Sequence, residues 1–405
     1  MVRWQKRHPN GMGEQLEMAA PHLLFWVAFA ALLYAYFGYP LGLFILARLR
    51  RRPPTAHQPE YRPHVTVVVA AWNEDAVIGG RIENILIQEY PADRLDVIVV
   101  SDASTDRTNE IVERAARETG RVRLVVTEER RGKSVALNVG VPAASGEVVV
   151  LTDANAVFER DAIAKLVGPL SDPGVGAVSG QLRYHAQTGT GETEGFYWRY
   201  EQRVKRLESA LGSLVGANGS IYAIRRELFR QVGPLDVNDF RIPYEILLQG
   251  HAVVLEPRAI SYEDPAANLW AEYRRKVRIM SRAIPTMLSL IPATIARGRI
   301  VAFWQLISHK LLREVQGIFF GGMLVGALWG ALLGSMLLTT MLVLQAALYL
   351  MGIMGWRLPS AGVWRPFRLA AHFDMIALAS FGALGLWLTG RVTPTWQPGR
   401  GGTDG

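Results

Sequence analysis

Acidic and amide side chains gather in three short clusters, each directly following a run rich in valine. The clusters are Asn73 to Asp75, Asp102 to Asp106, and the pair Asp153 and Asn155. Oxygen ligands of this kind suit a hard divalent cation such as magnesium or manganese. The chain has no cysteine, which excludes a thiolate metal site and a disulfide. A single cluster could equally cap a helix N-terminus, but three in order favour a functional site.

The valine-rich runs predict the strands that position these clusters. They read HVTVVVAA from His64, LDVIVVSD from Leu95, VRLVVTE from Val122 and EVVVLTD from Glu147. A helix-like segment follows each run, and this alternation predicts an α/β fold with a mostly parallel sheet covered on both faces. Ligands bind beyond the carboxyl ends of the strands in such sheets, so the three clusters should meet at one edge.

Long uncharged stretches predict membrane helices on both sides of this domain. Half of the residues are hydrophobic and only 20% are charged. The stretch from Met18 to Ala47 exceeds the about 20 residues that cross a bilayer, and it ends in the basic run Arg48 to Arg52. We therefore expect an uncleaved anchor rather than a signal peptide.

The C-terminal third predicts two further spans and a less regular one. Val315 to Trp356 carries no charge and could form two helices joined by a turn near Gly334–Ser335. A last helix, Leu369 to Leu388, contains Asp374, which we expect at the membrane interface. The mixed segment from Ile300 to Gln316 is typical of an amphipathic helix on the membrane surface.

The formal net charge of +8 is explained by basic residues that flank the apolar stretches. No basic stripe interleaved with aromatic residues is present, so a nucleic-acid partner is not expected. Basic residues beside a span are typical of cytoplasmic loops, and Arg48 to Arg52 therefore predict a cytosolic α/β domain. The N-terminal charges Arg3, Lys6 and Arg7 oppose this orientation.

An ordered set of short motifs resembles the family 2 glycosyltransferases, which include the cellulose, chitin and hyaluronan synthases. The motifs are AAWNED, SDASTD, RGKSVALN, TDAN, VGANGSIYAIRREL, VNDF and YRRKVRIMSR, between about His64 and Met287. The resemblance implies a Rossmann-like GT-A domain that binds a nucleotide-diphosphate sugar and inverts the anomeric centre. Membrane segments on both sides agree with it.

The resemblance assigns the donor side of the site to the first four motifs. Asn73 and Glu74 would approach the nucleobase, Asp102 would face it, and Lys133 would lie near the diphosphate. From spacing alone, Lys133 could equally be a solvated helix start. Asp153 and Asn155 match the DxD motif and would hold a magnesium or manganese ion, with an amide in place of the second carboxylate.

The remaining motifs are assigned to the acceptor and to the leaving group. Gly219 would let the backbone approach a sugar, and Asp239 would be the general base. Arg275 and Arg278 match the QxxRW motif, where Arg278 would hold the departing diphosphate and Ile279 replaces the tryptophan. The expected reaction is a single in-line displacement without a covalent intermediate.

These features divide the chain into seven expected segments. They are a tail (1–20), a membrane helix (21–48), a linker (49–63), a glycosyltransferase catalytic domain (64–291), an interfacial helix (292–316), a membrane region of two to three helices (317–390) and a second tail (391–405). The expected protein lies in a bacterial plasma membrane and takes a UDP-linked sugar as donor. Three functions stay open: addition to a saccharide or lipid-linked acceptor, processive synthesis with translocation of the polymer, and non-catalytic regulation by a bound nucleotide sugar. The missing tryptophan favours the first.

Overall fold

The structure, a computed structural model, describes residues 11–50, 60–184, 191–265, 268–358 and 365–395. Its strands are β1 (Val65–Ala71), β2 (Leu95–Ser101), β3 (Val122–Val126), β4 (Val148–Asp153), β5 (Val157–Phe158), β6 (Val175–Tyr184), β7 (Tyr222–Arg225) and β8 (Ala252–Glu263). Its α-helices are α1 (Gly11–Leu33), α2 (Tyr39–Leu49), α3 (Ile78–Leu86), α4 (Thr108–Thr119), α5 (Lys133–Gly140), α6 (Ala162–Val167), α7 (Gly191–Ala210), α8 (Asn238–Leu248), α9 (Leu269–Ala296), α10 (Ile300–Gln305), α11 (Leu312–Glu314), α12 (Gln316–Leu332), α13 (Met336–Arg357) and α14 (Arg365–Leu388). Wider π-helical turns join α1 to α2 (Tyr34–Gly38) and α10 to α11 (Leu306–Leu311), and short 3₁₀ turns lie at Ala92–Arg94, Gly168–Ser171 and Arg226–Leu228.

The eight strands form one sheet in the order β3-β2-β1-β4-β7-β6-β8-β5. The four strands predicted from the sequence pair in parallel as β3, β2, β1 and β4. Strand β7 then runs antiparallel to β4 and β6, β8 runs parallel to β6, and β5 runs antiparallel to β8. The predicted α/β fold is therefore confirmed, with a parallel half and a mixed half that the sequence pattern did not predict.

Helices cover both faces of the sheet, as the valine-rich strands require. Alternate side chains of β1 enter opposite cores: Val67 packs on the side of α3, α4 and α6, and Val68 on the side of α5, α8 and α9. The second core includes Met287 of α9. Helix α9 therefore continues the α/β domain, although it is long and apolar enough to cross a membrane.

Four helical segments in the described ranges are long and apolar enough to cross a membrane: Ala19–Leu49, Leu269–Ala296, Met336–Arg357 and Pro366–Leu388. A bent pair, Ile300–Glu314 with Gln316–Leu332, adds a fifth candidate with a 60° break. The predicted turn near Gly334–Ser335 lies between α12 and α13, where Gly334 has a φ of +84°. Ser335 caps α13 by accepting a hydrogen bond from the Leu338 amide.

A buried polar cluster joins the first candidate membrane helix to α7 and to the bent pair. We call Tyr39, Glu201, Glu208, His309 and Arg313 the junction cluster. The His309 ring nitrogens lie 2.6 Å from Glu208 Oε1 and 3.0 Å from Glu201 Oε1. The Tyr39 hydroxyl donates to Glu208 at 2.5 Å, and Arg313 Nη1 donates to Glu201 at 2.8 Å. These bonds connect segments that are far apart in the chain.

Candidate active site

The loops after β1 and β2 are tied together by hydrogen bonds. Asn73, with a φ of +52°, accepts a hydrogen bond on Oδ1 from the Thr105 amide at 2.8 Å. The Glu74 amide donates to the Thr108 hydroxyl at 2.8 Å. Asparagine tolerates the left-handed conformation better than most residues, so Asn73 suits this turn. Both predicted nucleobase contacts therefore lie at the carboxyl edge, where they hold neighbouring loops in register.

Asp102 is fully buried beneath the loop that leads into α5. Its two carboxylate oxygens accept hydrogen bonds from the Arg131 amide at 2.9 Å and the Gly132 amide at 2.7 Å. Gly132 has a φ of +92°, a conformation that favours glycine. Asp102 thus fixes the loop that carries Lys133, and its contact with a nucleobase stays a prediction.

Lys133, Asp153 and Gly219 meet at the centre of the edge. Lys133 Nζ lies 2.5 Å from Asp153 Oδ1 and 3.5 Å from the Gly219 carbonyl oxygen. The side chains of Lys133 and Asp153 are 15% and 35% exposed, so the pair is partly accessible to solvent. The structure therefore brings together residues that the sequence placed in three separate motifs.

The predicted general base, Asp239, lies in the first turn of α8 directly against Gly219. A Cβ atom on Gly219 would stand 2.9 Å from Asp239 Oδ2, so a glycine is needed for this approach. Burial raises the pKa of Asp239; Asp153 raises it further, while Lys133 and Lys205 oppose the shift. A carboxylate with a raised pKa is suited to accept a proton from a hydroxyl group.

Three arginines on α9 share one helix face because they are spaced three and four residues apart. Arg275 donates to both oxygens of Glu272, at 2.8 and 2.9 Å. Arg282 donates to the Asp236 carbonyl oxygen at 2.8 Å. Within the described ranges, the Arg278 guanidinium makes no hydrogen bond or ion pair, and Asp153 attracts it. Of the two predicted arginines, Arg278 is therefore the one available to an anion, and Arg275 is held by Glu272.

Two charged residues at this edge were missed by the sequence analysis. Glu263 ends β8, and the pairing of β8 with β5 brings it beside the turn that contains Asn155. Burial and the Asp153 carboxylate together raise the pKa of Glu263 to about 7. The acidic end of a strand was the available signal, because the same rule had located Asp102 and Asp153.

Arg81 of α3 is the second missed residue, and it lies beneath the edge. It is buried, its Nη2 donates to the Thr152 hydroxyl at 2.9 Å, and its guanidinium stacks 3.9 Å from the Phe158 ring centroid. Burial lowers the pKa of Arg81 to about 9, against the opposing attraction of Asp153 and Glu263. No motif marks an arginine inside a helix, so the sequence offered no signal for it.

The oxygen ligands at this edge suit a divalent cation whose coordination a ligand completes. Asp153, Asn155 and Glu263 supply carboxylate and amide oxygens, which hard cations prefer. The described residues contain no preformed group of three or more histidine or acidic side chains around one point. A bound cation would therefore need further oxygens from a diphosphate or from water.

Comparison with known proteins identifies the domain. Residues 66–233 match the model of glycosyl transferase family 2. The matched range includes Asp102, Lys133, Asp153 and Gly219 and ends before Asp239. The probable glycosyltransferase YdaM of Bacillus subtilis is 31% identical over 53% of this chain and 54% of its own length. The poly-beta-1,6-N-acetyl-D-glucosamine synthase of Staphylococcus aureus is 25% identical over 53% of each chain. The chain thus spans about half the length of the curated relatives it matches.

One solved structure is similar to this chain over most of the length of both proteins. It is the mannosyltransferase PcManGT from Pyrobaculum calidifontis, in complex with GDP-Man and Mn²⁺. The TM-score is 0.68 and the identity 27%, covering 90% of this chain and 99% of that one. The family predicted from the motifs is thereby confirmed: the chain carries a glycosyl transferase family 2 domain of GT-A-like fold, together with helices long and apolar enough to cross a membrane.

Proposed function

We propose that the protein is an inverting glycosyltransferase that moves a sugar from a nucleotide-diphosphate sugar to a saccharide or lipid-linked acceptor. The observation that carries this proposal is the position of Asp239 against Gly219, beside the Lys133–Asp153 pair. A base with a raised pKa thus lies next to cations that suit a diphosphate. The product would belong to a cell-surface glycan or an exopolysaccharide.

In the proposed mechanism, Asp239 accepts the proton of the acceptor hydroxyl as its oxygen attacks the anomeric carbon. The bond to the diphosphate breaks on the opposite side, so the anomeric centre inverts. Lys133 and Arg278 stabilise the negative charge that grows on the departing diphosphate. A divalent cation held by Asp153 and Asn155, near Glu263, would supply further charge neutralisation when bound. Asp239 then releases its proton to solvent.

The donor nucleotide is proposed as UDP, with GDP as the alternative. The sequence motifs favour UDP, whereas the solved mannosyltransferase was in complex with GDP-Man and Mn²⁺. Purified protein in lipid, supplied with magnesium or manganese, should release nucleoside diphosphate from one member of a panel of UDP and GDP sugars. If no donor in the panel releases nucleoside diphosphate in the presence of saccharide and lipid-linked acceptors, the non-catalytic regulator is favoured.

Product length separates the two enzymatic alternatives. Ile279, at the position of the tryptophan of processive members, is 38% exposed and offers no aromatic ring for an acceptor sugar. This favours the addition of one or a few sugars. The similarity to a poly-N-acetylglucosamine synthase supports the processive alternative. Sizing the radiolabelled product by gel filtration and thin-layer chromatography distinguishes the two alternatives, because a long polymer would overturn single addition.

The proposed setting is the cytosolic face of a bacterial plasma membrane. Arg48 and Arg50 lie at the end of the first candidate span, and basic residues in that position favour a cytosolic loop. Nucleotide sugars are cytosolic, which agrees with this orientation. Labelling of single cysteines introduced at exposed sites such as Glu113 and Leu332 would test it in intact cells. Reagent access to Glu113→Cys from outside would overturn it.

A further inference from the structure

A cavity of about 420 Å³ lies at the opposite end of the sheet from the active site. Ala252, which begins β8, lines this cavity. Glu263, which ends β8, lies at the edge of the sheet that carries the candidate active site. A strand of this length separates the two by roughly 35 Å. The cavity is therefore distinct from the site that would bind the nucleotide sugar.

Segments beside the candidate membrane helices form part of the cavity wall, and the ends of α7 and α8 with the start of β8 form the rest. Arg50 directly follows the first candidate span, which ends at Leu49. Gly298 and Arg299 lie in the short connection between α9, which ends at Ala296, and the bent helix pair, which begins at Ile300. The cavity thus opens where the α/β domain meets the ends of the apolar helices.

The charge of the cavity has one sign. Arg50, His251 and Arg299 line it, and none of the described residues in its wall is acidic. Within the part of the chain that the structure describes, neither arginine side chain makes an ion pair or a hydrogen bond. Guanidinium groups without a partner in one concave site are suited to bind an anion.

Glycines in the cavity wall have positive φ angles, and one of them leaves space for the Arg299 side chain. Gly250 has a φ of +100° and Gly298 a φ of +61°, so both turns favour glycine. A Cβ atom on Gly250 would stand 2.9 Å from Arg299 Nη2. The guanidinium of Arg299 therefore lies directly against the Gly250 backbone.

The residues next to the two arginines are apolar and exposed. Leu49 precedes Arg50 and is 77% exposed, and Ile300 follows Arg299 and is 78% exposed. Large aliphatic side chains at such exposure beside a cationic cavity give the site a polar interior and an apolar rim. A ligand that matches both has an anionic head and a hydrocarbon tail.

We propose that this cavity binds the headgroup of an anionic phospholipid from the bilayer, with Arg50 and Arg299 on the phosphate. Leu49 and Ile300 contact the first methylene groups of the acyl chains. A free phosphate would use the arginines but gain nothing from the apolar rim, which is why the bilayer lipid is the proposed source. The site would fix the height and tilt of the α/β domain on the membrane surface.

The test measures lipid binding to the full chain, in neutral detergent, by native mass spectrometry and by thermal shift. The probes are phosphatidylglycerol, phosphatidylcholine and inorganic phosphate. We expect saturable binding of phosphatidylglycerol that raises the melting temperature, and little effect of phosphatidylcholine. Each arginine replaced by glutamine should weaken the binding about fivefold, and Arg50→Gln with Arg299→Gln about 25-fold.

Arg297→Gln is the matched control, because Arg297 is exposed, lies two residues from Arg299 and does not line the cavity. Equal loss in Arg297→Gln would reduce the effect to general surface charge and overturn the proposal. Inorganic phosphate that raises the melting temperature as much as phosphatidylglycerol would overturn the lipid source. Unchanged lipid binding in the folded double variant would overturn the site itself.

Discussion

Two clusters of carboxylates, the junction cluster and the candidate active site, differ in how their charge is balanced. In the junction cluster, Glu201 and Glu208 each meet a cation or a hydroxyl donor at hydrogen-bond distance. At the edge that carries the candidate active site, Asp239 and Glu263 face another acid, Asp153. Lys133, with Lys205 near Asp239 and with Arg275 and Arg81 near Glu263, offsets only part of that charge.

The pKa values of the two clusters shift in opposite directions. Burial opposes ionisation in both places. In the junction cluster, His309 and neighbouring cations overcome burial and hold the pKa of Glu201 well below its usual range, with a smaller lowering for Glu208. At the edge, burial prevails, and the pKa values of Asp239 and Glu263 are raised.

The difference separates a structural cluster from a functional one. A carboxylate whose partners are already present holds segments together and has no capacity left for a ligand. A carboxylate that lacks a full set of partners is costly until a proton, a cation or a substrate arrives. Burial alone therefore does not distinguish the proposed active site from the junction cluster; the balance of charge does.

The largest effect is expected from removing the base at the edge. Asp239→Asn keeps the shape of the side chain but cannot accept the proton, so kcat should fall about 10²- to 10⁴-fold. Nucleotide binding, measured by isothermal titration, should remain near wild type because Asp153, Lys133 and Arg278 are intact. Full turnover in Asp239→Asn would show that another group removes the proton.

Much of the edge was predictable because its residues follow regular strands. The valine-rich runs of β2 and β4 end at Asp102 and Asp153, so sequence pattern located both. Glu263 was missed because β8 carries the Glu256–Arg258 ion pair in its middle and lies in the mixed half of the sheet.

The junction cluster was not predictable from the sequence. Its hydrogen bonds join residues about one hundred or more positions apart in the chain: Tyr39 to Glu208, and Glu208 to His309. No local pattern indicates that such residues will meet. Only the packing of α7 between the first candidate membrane helix and the bent pair brings them together, and that packing depends on the whole fold.

Breaking the junction cluster should lower the stability of the protein and leave its kcat unchanged. Glu208→Gln removes the carboxylate that binds His309 and Tyr39, so the buried imidazole keeps Glu201 but loses its shorter carboxylate contact. Removing one partner of a buried pair costs about 3–5 kcal/mol, so the melting temperature in detergent should fall clearly. The kcat of the remaining folded protein should stay near wild type.

Glu113→Gln is the matched control for this change, because Glu113 forms an exposed ion pair with Arg117 at 3.8 Å. Exposed pairs contribute about 0–1 kcal/mol, so its melting temperature should barely move. If Glu208→Gln instead keeps its melting temperature and loses kcat, the junction cluster belongs to the chemistry and the contrast between the clusters is wrong.

A smaller effect is expected from crowding the base without removing it. In Gly219→Ala the new methyl group would stand 2.9 Å from Asp239 Oδ2 and push the carboxylate aside. A displacement of this kind should lower kcat about 10- to 100-fold with little change in stability. Gly80→Ala, where no atom lies within 4 Å of the new Cβ, is the control. Equal activity of the two variants would mean that the position of Asp239 is not critical.

The smallest effect tests the charge balance at the edge through pH. Asp239 acts as a base only when ionised, so its raised pKa predicts that kcat/KM falls as the pH drops through it. The Lys205 ammonium lowers that pKa, so Lys205→Gln should raise it and move the acidic limb of the pH profile to higher pH. Arg203→Gln, an exposed change on the same helix, should leave the limb in place. A limb that stays fixed in Lys205→Gln, or moves to lower pH, would show that uncompensated charge at the edge does not set the ionisation of the base.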